Sequence, residues 1–263
     1  MKILFTILLL LFFQNAFSEL RLGLTKKQYK NLEPLFSKNS SQRFDLYLEA
    51  FDGKHFLLEE KGIKFRLKND EKKTIVQISK QVDTKYLKCG PHTISWKKRR
   101  KFRSKNEKLI RLLTFKGTEI FKYLHSRDKL PKELIHDFDS KIRELNFKGK
   151  EFLLKSLSGE GPYLFIPSHT NKKYRRKIKI GEGKNFKLIL GKTLEKGSQN
   201  HFITFYEIEG EMSKAELETQ KEYLNLFCQK IKGLKISSEK IEGKKEKKIN
   251  LKAYKNKMPS LFK

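Results

Sequence analysis

The segment HFLLEEKGIKFRLKND, residues 55–70, contains the alternation that decides the fold. After Gly62, three apolar residues alternate with the three cations Lys64, Arg66 and Lys68. Because side chains two residues apart on a strand share a face, this pattern predicts a β-strand with one apolar and one cationic face. Like charges at that spacing repel one another, so the cationic face must meet either an anion or plain water.

Further segments of strand length lie on both sides of this one. They are residues 19–24, 43–51, 62–68 and 73–80, one or two between 86 and 102, and then 163–166, 174–180, 186–190 and 201–211. Their local connections favour antiparallel pairing, and roughly eight strands with polar faces predict a closed or nearly closed barrel. The predicted fold class is α+β: an eight-stranded antiparallel, tunnel-like β-barrel with flanking helices and a central helical segment.

Helical signals begin directly after the first predicted strand. Thr25 and Gln28 form a capping-box pattern, in which each side chain bonds the backbone of the other. The pattern begins a short helix, and its apolar face carries Tyr29, Leu32 and Leu35.

A central helical segment, about residues 105–158, separates the two groups of predicted strands. Apolar residues at helical spacing predict helices over 106–125 and 131–147. A second capping box, formed by Ser213 and Glu216, predicts a last helix. Its inward side chains are Leu217, Leu224, Phe227 and Ile231.

The two ends of the chain differ from its middle. A positive start, an apolar run over residues 3–13 and small residues before Glu19 are typical of a secretory signal peptide over residues 1–18. We therefore expect a mature chain that is exported, either periplasmic or secreted, and that has no transmembrane segment. Residues 19–236 form the expected tunnel domain, and the Lys-rich residues 237–263 form a loosely ordered tail.

The formal net charge of the chain is +30 at pH 7. Such an excess predicts attraction to polyanions such as polyphosphate, nucleotides, nucleic acid or anionic lipid head groups, although a generally Lys-rich composition is an alternative. The run KKRRK, residues 97–101, is the best candidate for a nucleic-acid patch, and a solvated loop is the alternative that we favour.

The sequence patterns of several common catalytic and metal-binding sites are absent from this chain. The chain contains no G-x-S-x-G elbow, no P-loop and no Cys/His cluster at zinc spacing. Cys89 and Cys228 are the two cysteines, and export would allow them to form a disulfide. Spacing alone leaves a disulfide and two separate buried thiols as alternatives.

Charged residues also repeat at period two in the second half of the chain. Arg175 and Arg176 lie on opposite faces of one predicted strand, and Lys187 begins the next. The strand FITFYEIEGEM then places three carboxylates on one face: Glu207, Glu209 and Glu211. If the cationic and acidic rows face one lumen, the cations can bind phosphate oxygens and the carboxylates can hold a divalent metal. The alternative is a two-sided sheet whose polar face meets water.

These motifs resemble those of the CYTH superfamily, the triphosphate tunnel metalloenzymes. YLEAFDGKHFLLEEKGIKFRLK is similar to the family signature that ends in a basic-x-basic strand, and KTIVQISK to its lysine-ending strand. FYEIEGEMSKAEL is similar to the late E-x-E strand and the helix that follows it. The resemblance covers residues 19–80 and 173–232. It implies an eight-stranded antiparallel tunnel. Members bind triphosphate or polyphosphate compounds, or hydrolyse or cyclise triphosphates with Mg²⁺ or Mn²⁺.

The resemblance also assigns roles to individual residues. The candidate phosphate ligands are Lys64, Arg66, Lys80 and either Arg175 or Arg176, and Lys187 joins them from the cationic row. Glu207 and Glu209 would act in catalysis by holding the metal or orienting its water. Glu19 and Glu211 would be further metal ligands.

The first strand, ELRLG, departs from the family's E-x-E-x-K pattern. Arg21 stands where an acid is expected, Gly23 replaces the lysine, and Gly191 replaces an acid expected later in the chain. Fewer acids and an added arginine make the lumen more cationic. A polyanion should therefore still bind, while a phosphoryl centre and its attacking water are activated less well.

Three functions stay open at this point, and with them the question of whether the protein is an enzyme. The first is an exported, metal-dependent phosphohydrolase acting on a triphosphate or polyphosphate. The second is a catalytically degenerate barrel that only binds the polyanion. The third is a basic surface binder of nucleic acid or lipopolysaccharide without a tunnel, although the excess of Lys over Arg argues gently against nucleic acid.

Overall fold

The computed structural model describes residues 16–36, 38, 40–126, 131–180, 186–196, 202–212 and 219–236. Within these ranges the chain forms eight strands and a series of helices. The strands are β1 (Ala16–Leu24), β2 (Ser41–Phe51), β3 (Ile63–Asp70), β4 (Lys73–Cys89), β5 (His92–Ser104), β6 (Leu164–Ile180), β7 (Phe186–Lys196) and β8 (Phe202–Met212). The helices are α1 (Lys26–Leu32), α2 (Leu57–Glu60), α3 (Glu107–Leu112), α4 (Thr118–His125), α5 (Lys132–Glu144), α6 (Lys150–Leu157) and α7 (Thr219–Gly233).

The strands close into one antiparallel barrel. Around the barrel the order is β1-β5-β4-β3-β2-β6-β7-β8, and β8 pairs with β1 to complete the circle. Closure gives every strand two hydrogen-bonded neighbours and so removes exposed sheet edges. The predicted fold class, an eight-stranded antiparallel, tunnel-like barrel with flanking helices, is therefore confirmed.

Several strands are longer than the sequence pattern predicts. β4 continues past Lys80 to Cys89 and forms a hairpin with β5. β6 is one strand where the pattern predicts two, because its polar middle, residues 167–173, stays paired with β2. Alternate residues of that stretch face the lumen, so their polarity, which resembles a loop in the sequence, is compatible with a strand.

Two apolar clusters cover the outside of the barrel. The first packs the outer faces of β2, β3, β4 and β6 against the helices α3–α6, with Phe65 and Phe138 among its fully buried members. The second packs β1, β7 and β8 against α1 and α7, with Leu22 and Phe227 among its buried members. Because strand side chains alternate, burying one set on the outside turns the other, mostly polar set toward the lumen.

The capping box of α1 is confirmed. The side-chain oxygen of Gln28 accepts the Thr25 backbone N–H at 2.8 Å, and the Thr25 hydroxyl accepts the Gln28 N–H at 3.2 Å. Tyr29 and Leu32 are buried as predicted. The prediction for Leu35 is wrong: it is 59% exposed, because the helix ends at Leu32 and a 3₁₀ turn changes the periodicity.

The central helices differ in detail from the predicted pair. The first, predicted over 106–125, is confirmed as α3 and α4 joined by a π-helical turn, Leu113–Gly117. The second begins one residue later than expected, because Pro131 is its N-cap. The sequence pattern does not predict α6. Gly149 precedes it with φ of 93°, and a Cβ there would lie 2.8 Å from that of Phe102.

A disulfide joins Cys89, at the end of β4, to Cys228 in α7, with Cα atoms 5.3 Å apart. It decides between the alternatives that sequence spacing leaves open, and it ties the β4–β5 hairpin to the last helix. None of the described helices combines the length and apolarity needed to cross a bilayer.

Several predictions concern residues outside the described ranges. They are most of the signal peptide (residues 1–15), the second capping box and the inward Leu217 that follows it (residues 213–217), and the tail (residues 237–263). β1 begins at Ala16, and cleavage before Glu19 stays a prediction.

Candidate functional site

The lumen of the barrel is lined mostly by cations. Of the fourteen described residues around the cavity, ten are Lys or Arg. They are Arg21, Arg43, Lys64, Arg66, Lys68, Arg99, Lys101, Arg103, Lys173 and Arg175. The other four are Glu19, Tyr47, Gln77 and Glu209. The predicted juxtaposition of a cationic row and an acidic row within one bore is therefore present.

The cationic row of β3 faces the lumen because its apolar residues, such as Phe65, are buried outside. Arg66 is held in place: its Nη1 lies 3.0 Å from the Asp45 carboxylate and donates to the Tyr47 hydroxyl at 2.8 Å. Arg43 approaches the same carboxylate at 3.0 Å. Burial would raise the pKa of Asp45, but the two guanidinium groups outweigh it and lower that pKa. Arg66 is thus a fixed, fully charged group.

Lys64 and Lys68, which we call the lysine row, flank Arg66 on the same face of β3. No hydrogen bond or ion pair to either ammonium occurs among the described residues. The Lys64 side chain reaches lumen water even though the barrel wall surrounds it. This enclosure and the charges of Arg99 and Arg66 lower the pKa of Lys64 to about 7. Enclosure and nearby arginines, Arg43 first, likewise lower the pKa of Lys68 to about 7, against the opposing attraction of the Asp45 carboxylate.

Glu207 and Glu209 of β8 also face the lumen as predicted, and Arg21 of β1 lies between them. The Arg21 guanidinium contacts three carboxylates, at 2.9 Å for Glu19, 3.1 Å for Glu207 and 2.9 Å for Glu209. We call these four residues the Arg21 cluster. The backbone of Glu211 pairs with Glu19, but its side chain lies outside the described part of the structure, so its metal role stays a prediction.

Further cations neutralise the same carboxylates. The Lys101 ammonium lies 2.6 Å from Glu19, and the Arg175 guanidinium lies 3.0 Å from Glu209. Burial would raise the pKa of Glu19 and of Glu209, but the surrounding cations, Arg21 first among them, hold both well below the usual range. Glu19 and Glu209 are therefore ionised, and each already has a cationic partner.

The described lumen does not fit the divalent metal that the family resemblance implies. Such an ion needs several oxygen ligands that converge at roughly 2.0–2.6 Å. In the Arg21 cluster the carboxylates converge on a guanidinium. Nowhere in the described ranges do three or more His, Cys, Asp or Glu side chains group to hold a metal. The predicted metal roles of Glu19, Glu207 and Glu209, and the catalytic roles of the last two, find no support in these contacts.

Two predicted phosphate ligands lie on the outside of the barrel, so their predicted placement is wrong. Lys80 pairs with Ile63, a member of the outer apolar cluster, and strand alternation directs both away from the lumen. Arg176 forms an ion pair with Glu33 at 2.8 Å, on the opposite face from its lumen-facing neighbour in the chain.

Lys187, the remaining candidate, occupies an inward register position on β7. It lies two residues before Ile189, the register partner of lumen-facing Glu209. It is nevertheless not among the described residues around the cavity. The predicted phosphate roles of Lys64, Arg66 and Arg175, which do line the lumen, stay predictions.

β5 supplies three lumen cations whose inward direction the sequence pattern does not predict. Arg99, Lys101 and Arg103 alternate inward along this strand. The interpretation of residues 97–101 as a solvated loop is therefore wrong, and Arg99 is only 7% exposed. Lys173, two residues before Arg175 on β6, is a further addition. The sequence signal for these residues is a cation at every second position of a strand, because such residues share one face of the sheet.

No protein-family model matches the chain, and no curated protein matches it. The similar solved structures include a candidate adenylate cyclase from Bacillus halodurans, which is 14% identical, covers 85% of this chain and 93% of its own, and has a TM-score of 0.47. The S. pombe RNA triphosphatase is 12% identical over 89% of this chain and 92% of its own, with a TM-score of 0.46. The Mimivirus capping enzyme triphosphatase is 12% identical over 81% and 88%, with a TM-score of 0.43. At these identities and TM-scores the likeness supports no functional argument. The function must therefore be argued from the residues that line the lumen.

Proposed function

We propose that this protein binds a triphosphate or polyphosphate chain in the lumen of a CYTH-like barrel. The lysine row is the observation that supports this most: two ammonium groups inside the barrel wall, neither of which forms a hydrogen bond or a close ion pair with a described residue. Eight further cations share the lumen with them. Ten cations against the carboxylates of Glu19, Asp45, Glu207 and Glu209 leave six positive charges in excess when all groups are ionised.

The shape of the cavity favours a slim anion. Long side chains fill most of the bore and leave a cavity of about 80 Å³. Pockets that enclose drug-sized ligands usually measure roughly 300–1,000 Å³. A chain of phosphate groups can replace water between the side chains, whereas a base or another ring would have to remain outside the bore.

The lumen contains two kinds of cation that could bind the anion: a fixed arginine and two flexible lysines. Arg66 is fixed by Asp45 and Tyr47, so its guanidinium fork is already oriented for bidentate contact with phosphate oxygens. Lys64 and Lys68 are flexible point charges on the same face of β3 and can follow a phosphate chain along the strand. Binding the anion would also relieve the repulsion between these neighbouring cations.

We propose binding rather than hydrolysis as the function. Attack by water needs a base or a metal ion that activates it, in addition to cations that neutralise the developing charge. Glu207 and Glu209 are the lumen carboxylates predicted for that task, and both form ion pairs with Arg21. A metal-dependent phosphohydrolase would need ligands that the described lumen does not offer.

We further propose that the protein acts after export. The signal-peptide pattern of residues 1–18 supports this. The Cys89–Cys228 disulfide is a second support, because such bonds persist mainly in oxidising compartments. N-terminal sequencing of the protein from a fractionated host tests it: we expect a mature chain that begins at Glu19 in the exported fraction. An uncleaved chain confined to the cytoplasm would contradict export but not anion binding.

Calorimetric titration with inorganic tripolyphosphate in EDTA tests the binding proposal. The informative variant combines Lys64→Met and Lys68→Met, which removes the lysine row and keeps the length of the side chains. Its matched control combines Lys80→Met and Arg176→Met, which removes the same charge from the outer face. We expect saturable binding to the unmodified protein, a loss of about tenfold or more with the first pair, and less than about twofold with the second.

The possible outcomes distinguish anion binding in the lumen from anion binding on the outer surface. Equal loss with both double variants would show that total charge, not the lumen, binds the anion. Titration with duplex DNA provides a further comparison. Salt-sensitive DNA binding that survives loss of the lysine row, without tripolyphosphate binding, would favour a surface binder and overturn the proposal.

A further inference from the structure

We propose that the guanidinium of Arg21 takes the place of a divalent cation among Glu19, Glu207 and Glu209, so that this lumen binds its anion without a metal, and that Arg21→Glu alone creates a metal site. The anion part deepens the proposed function and rests on it. The metal part rests only on the geometry of the Arg21 cluster.

The pairing of β1 with β8 places Arg21 at the centre of the carboxylates. Arg21 is the register partner of Glu209, and Glu19 precedes it by two residues on the same face of β1. Glu207 is the register partner of Gly23, which has no side chain to stand between that carboxylate and the guanidinium. All three carboxylates therefore reach one group.

A single planar fork holds the three carboxylates close together. Nη2 of Arg21 lies 2.9 Å from both Glu19 and Glu209, and Nη1 lies 3.1 Å from Glu207. The carboxylate oxygens therefore surround a space no wider than the end of one guanidinium. Oxygen ligands converging on one point are what a hard divalent cation requires. Here Arg21 occupies that point.

The surrounding charges favour the guanidinium over a divalent ion. Arg99 lies 3.4 Å and Lys101 2.6 Å from Glu19, and Lys173 lies 4.0 Å from Glu207. Together with Arg21 and Arg175, five cations face three carboxylates, so an incoming divalent ion would meet positive charge in excess. Arg21 also does not lose its proton at any ordinary pH, so it is a permanent occupant.

Arg21→Glu removes both obstacles to a divalent ion: the guanidinium between the carboxylates and the excess of positive charge around them. The guanidinium leaves, and a fourth carboxylate enters directly opposite Glu209. Four carboxylates then face four cations, and the electrostatic excess that opposes a divalent ion disappears. Arg21→Lys is the conservative comparison, because it keeps one positive charge in the cluster and so should still exclude the metal.

A merely structural ion-pair network leads to a different expectation. Breaking such a network destabilises the protein whether or not a metal is present. If the guanidinium stands in for a cation, Mn²⁺ should restore what Arg21→Glu removes, because a ligand that binds only the folded state stabilises it. Metal-dependent recovery of stability is therefore the readout that separates the two.

The experiment uses the full chain as wild type, Arg21→Glu, Arg21→Lys and Arg176→Glu, the last being a charge reversal on the outer face. Thermal unfolding is measured in EDTA and in Mn²⁺, and Mn²⁺ binding by electron paramagnetic resonance. We expect the Mn²⁺ affinity of Arg21→Glu to exceed that of wild type by about tenfold or more, with a melting temperature that rises with Mn²⁺. The other three proteins should show neither change.

Two results would overturn the inference. One is saturable Mn²⁺ binding to wild type that Glu209→Gln abolishes, since the native cluster would then be a metal site. The other is an Arg21→Glu protein that gains no Mn²⁺ affinity and is equally unstable with and without the ion.

Tripolyphosphate titration of wild type separates this inference from the proposed function. Binding in EDTA that is as tight as binding with added Mg²⁺ supports both the proposed function and this inference. Binding that requires added Mg²⁺ contradicts the inference and leaves the proposed function intact. No binding under either condition defeats the proposed function and the anion part of the inference, and the Mn²⁺ measurements still decide the metal part.

Discussion

The Arg21 cluster and the lysine row are built by the same rule but have opposite electrostatic states. In both, charged residues two apart on a strand point into one lumen. In the Arg21 cluster every carboxylate contacts a cation at hydrogen-bonding distance. In the lysine row neither ammonium has a partner among the described residues, and both have pKa values lowered to about 7.

The difference shows that a row of charges is not by itself a binding site. The carboxylates of the Arg21 cluster already have cationic partners, and their ion pairs join β1 to β8 and to β5. The ammonium groups of the lysine row repel one another and the neighbouring arginines, and an incoming anion would relieve that repulsion. Ligand binding is therefore expected at β3 and structural cohesion at β1 and β8, although both regions border the same cavity.

The largest expected effect comes from breaking the Arg21 cluster. Arg21→Met should lower the free energy of unfolding by about 3–5 kcal/mol, because removing one partner leaves buried charges uncompensated. Urea unfolding in EDTA measures this. A loss below about 1 kcal/mol would place the cluster among weak surface pairs and remove the contrast with the lysine row.

A smaller effect is expected from pH on anion binding. Lys64 and Lys68 are protonated below their pKa of about 7, and only the protonated amines attract phosphate. Tripolyphosphate itself gains negative charge between about pH 6 and about pH 9, so the comparison is with the Lys64→Met, Lys68→Met protein, which experiences the same change in the ligand. Over that range the advantage of the unmodified protein in affinity should shrink by about tenfold or more. Calorimetry of both proteins measures it, and an advantage that grows with pH would contradict the assignment.

Stability should change with pH in the opposite direction. The folded-state pKa values of Lys64 and Lys68 lie below the unfolded value of about 10.4, so the unfolded chain binds more protons between about pH 7 and 10. The stability of the free protein should therefore rise with pH in this window. Urea unfolding at a series of pH values tests the sign, and the double variant should show a shallower rise.

The smallest effects are expected from removing charge without removing a partner. Lys64→Met with Lys68→Met should cost no more than about 0.5 kcal/mol of stability, because it relieves repulsion. Lys80→Met on the outer face should likewise stay within about 0.5 kcal/mol, and it should leave tripolyphosphate affinity unchanged. A large stability loss from the lysine-row variant alone would show that these ammonium groups are paired after all.

The sequence predicts the barrel and the lumen face of β3 because both depend on local periodicity. Phe65 and Leu67 are apolar, so alternation alone directs Lys64 and Arg66 to the opposite face. Lys80 is misplaced for a related reason. The face of a residue at a presumed strand end depends on register, and β4 continues well beyond it with Lys80 turned outward.

The pairing of Arg21 could not be predicted from local pattern. Its partner Glu207 lies 186 residues away in the sequence, and only the closure of β8 onto β1 brings the two together. The sequence does show that Arg21 replaces an expected acid. It does not show that the guanidinium gathers the remaining carboxylates.

The most direct test of anion binding in the lumen is an experimental structure of the protein with inorganic tripolyphosphate in EDTA. We expect the phosphate chain inside the barrel, with its oxygens within hydrogen-bonding distance of Lys64, Arg66 and Lys68, and with the Arg21 cluster unchanged. A phosphate chain bound only on the outer surface, or one that displaces Arg21 from its carboxylates, would contradict this assignment.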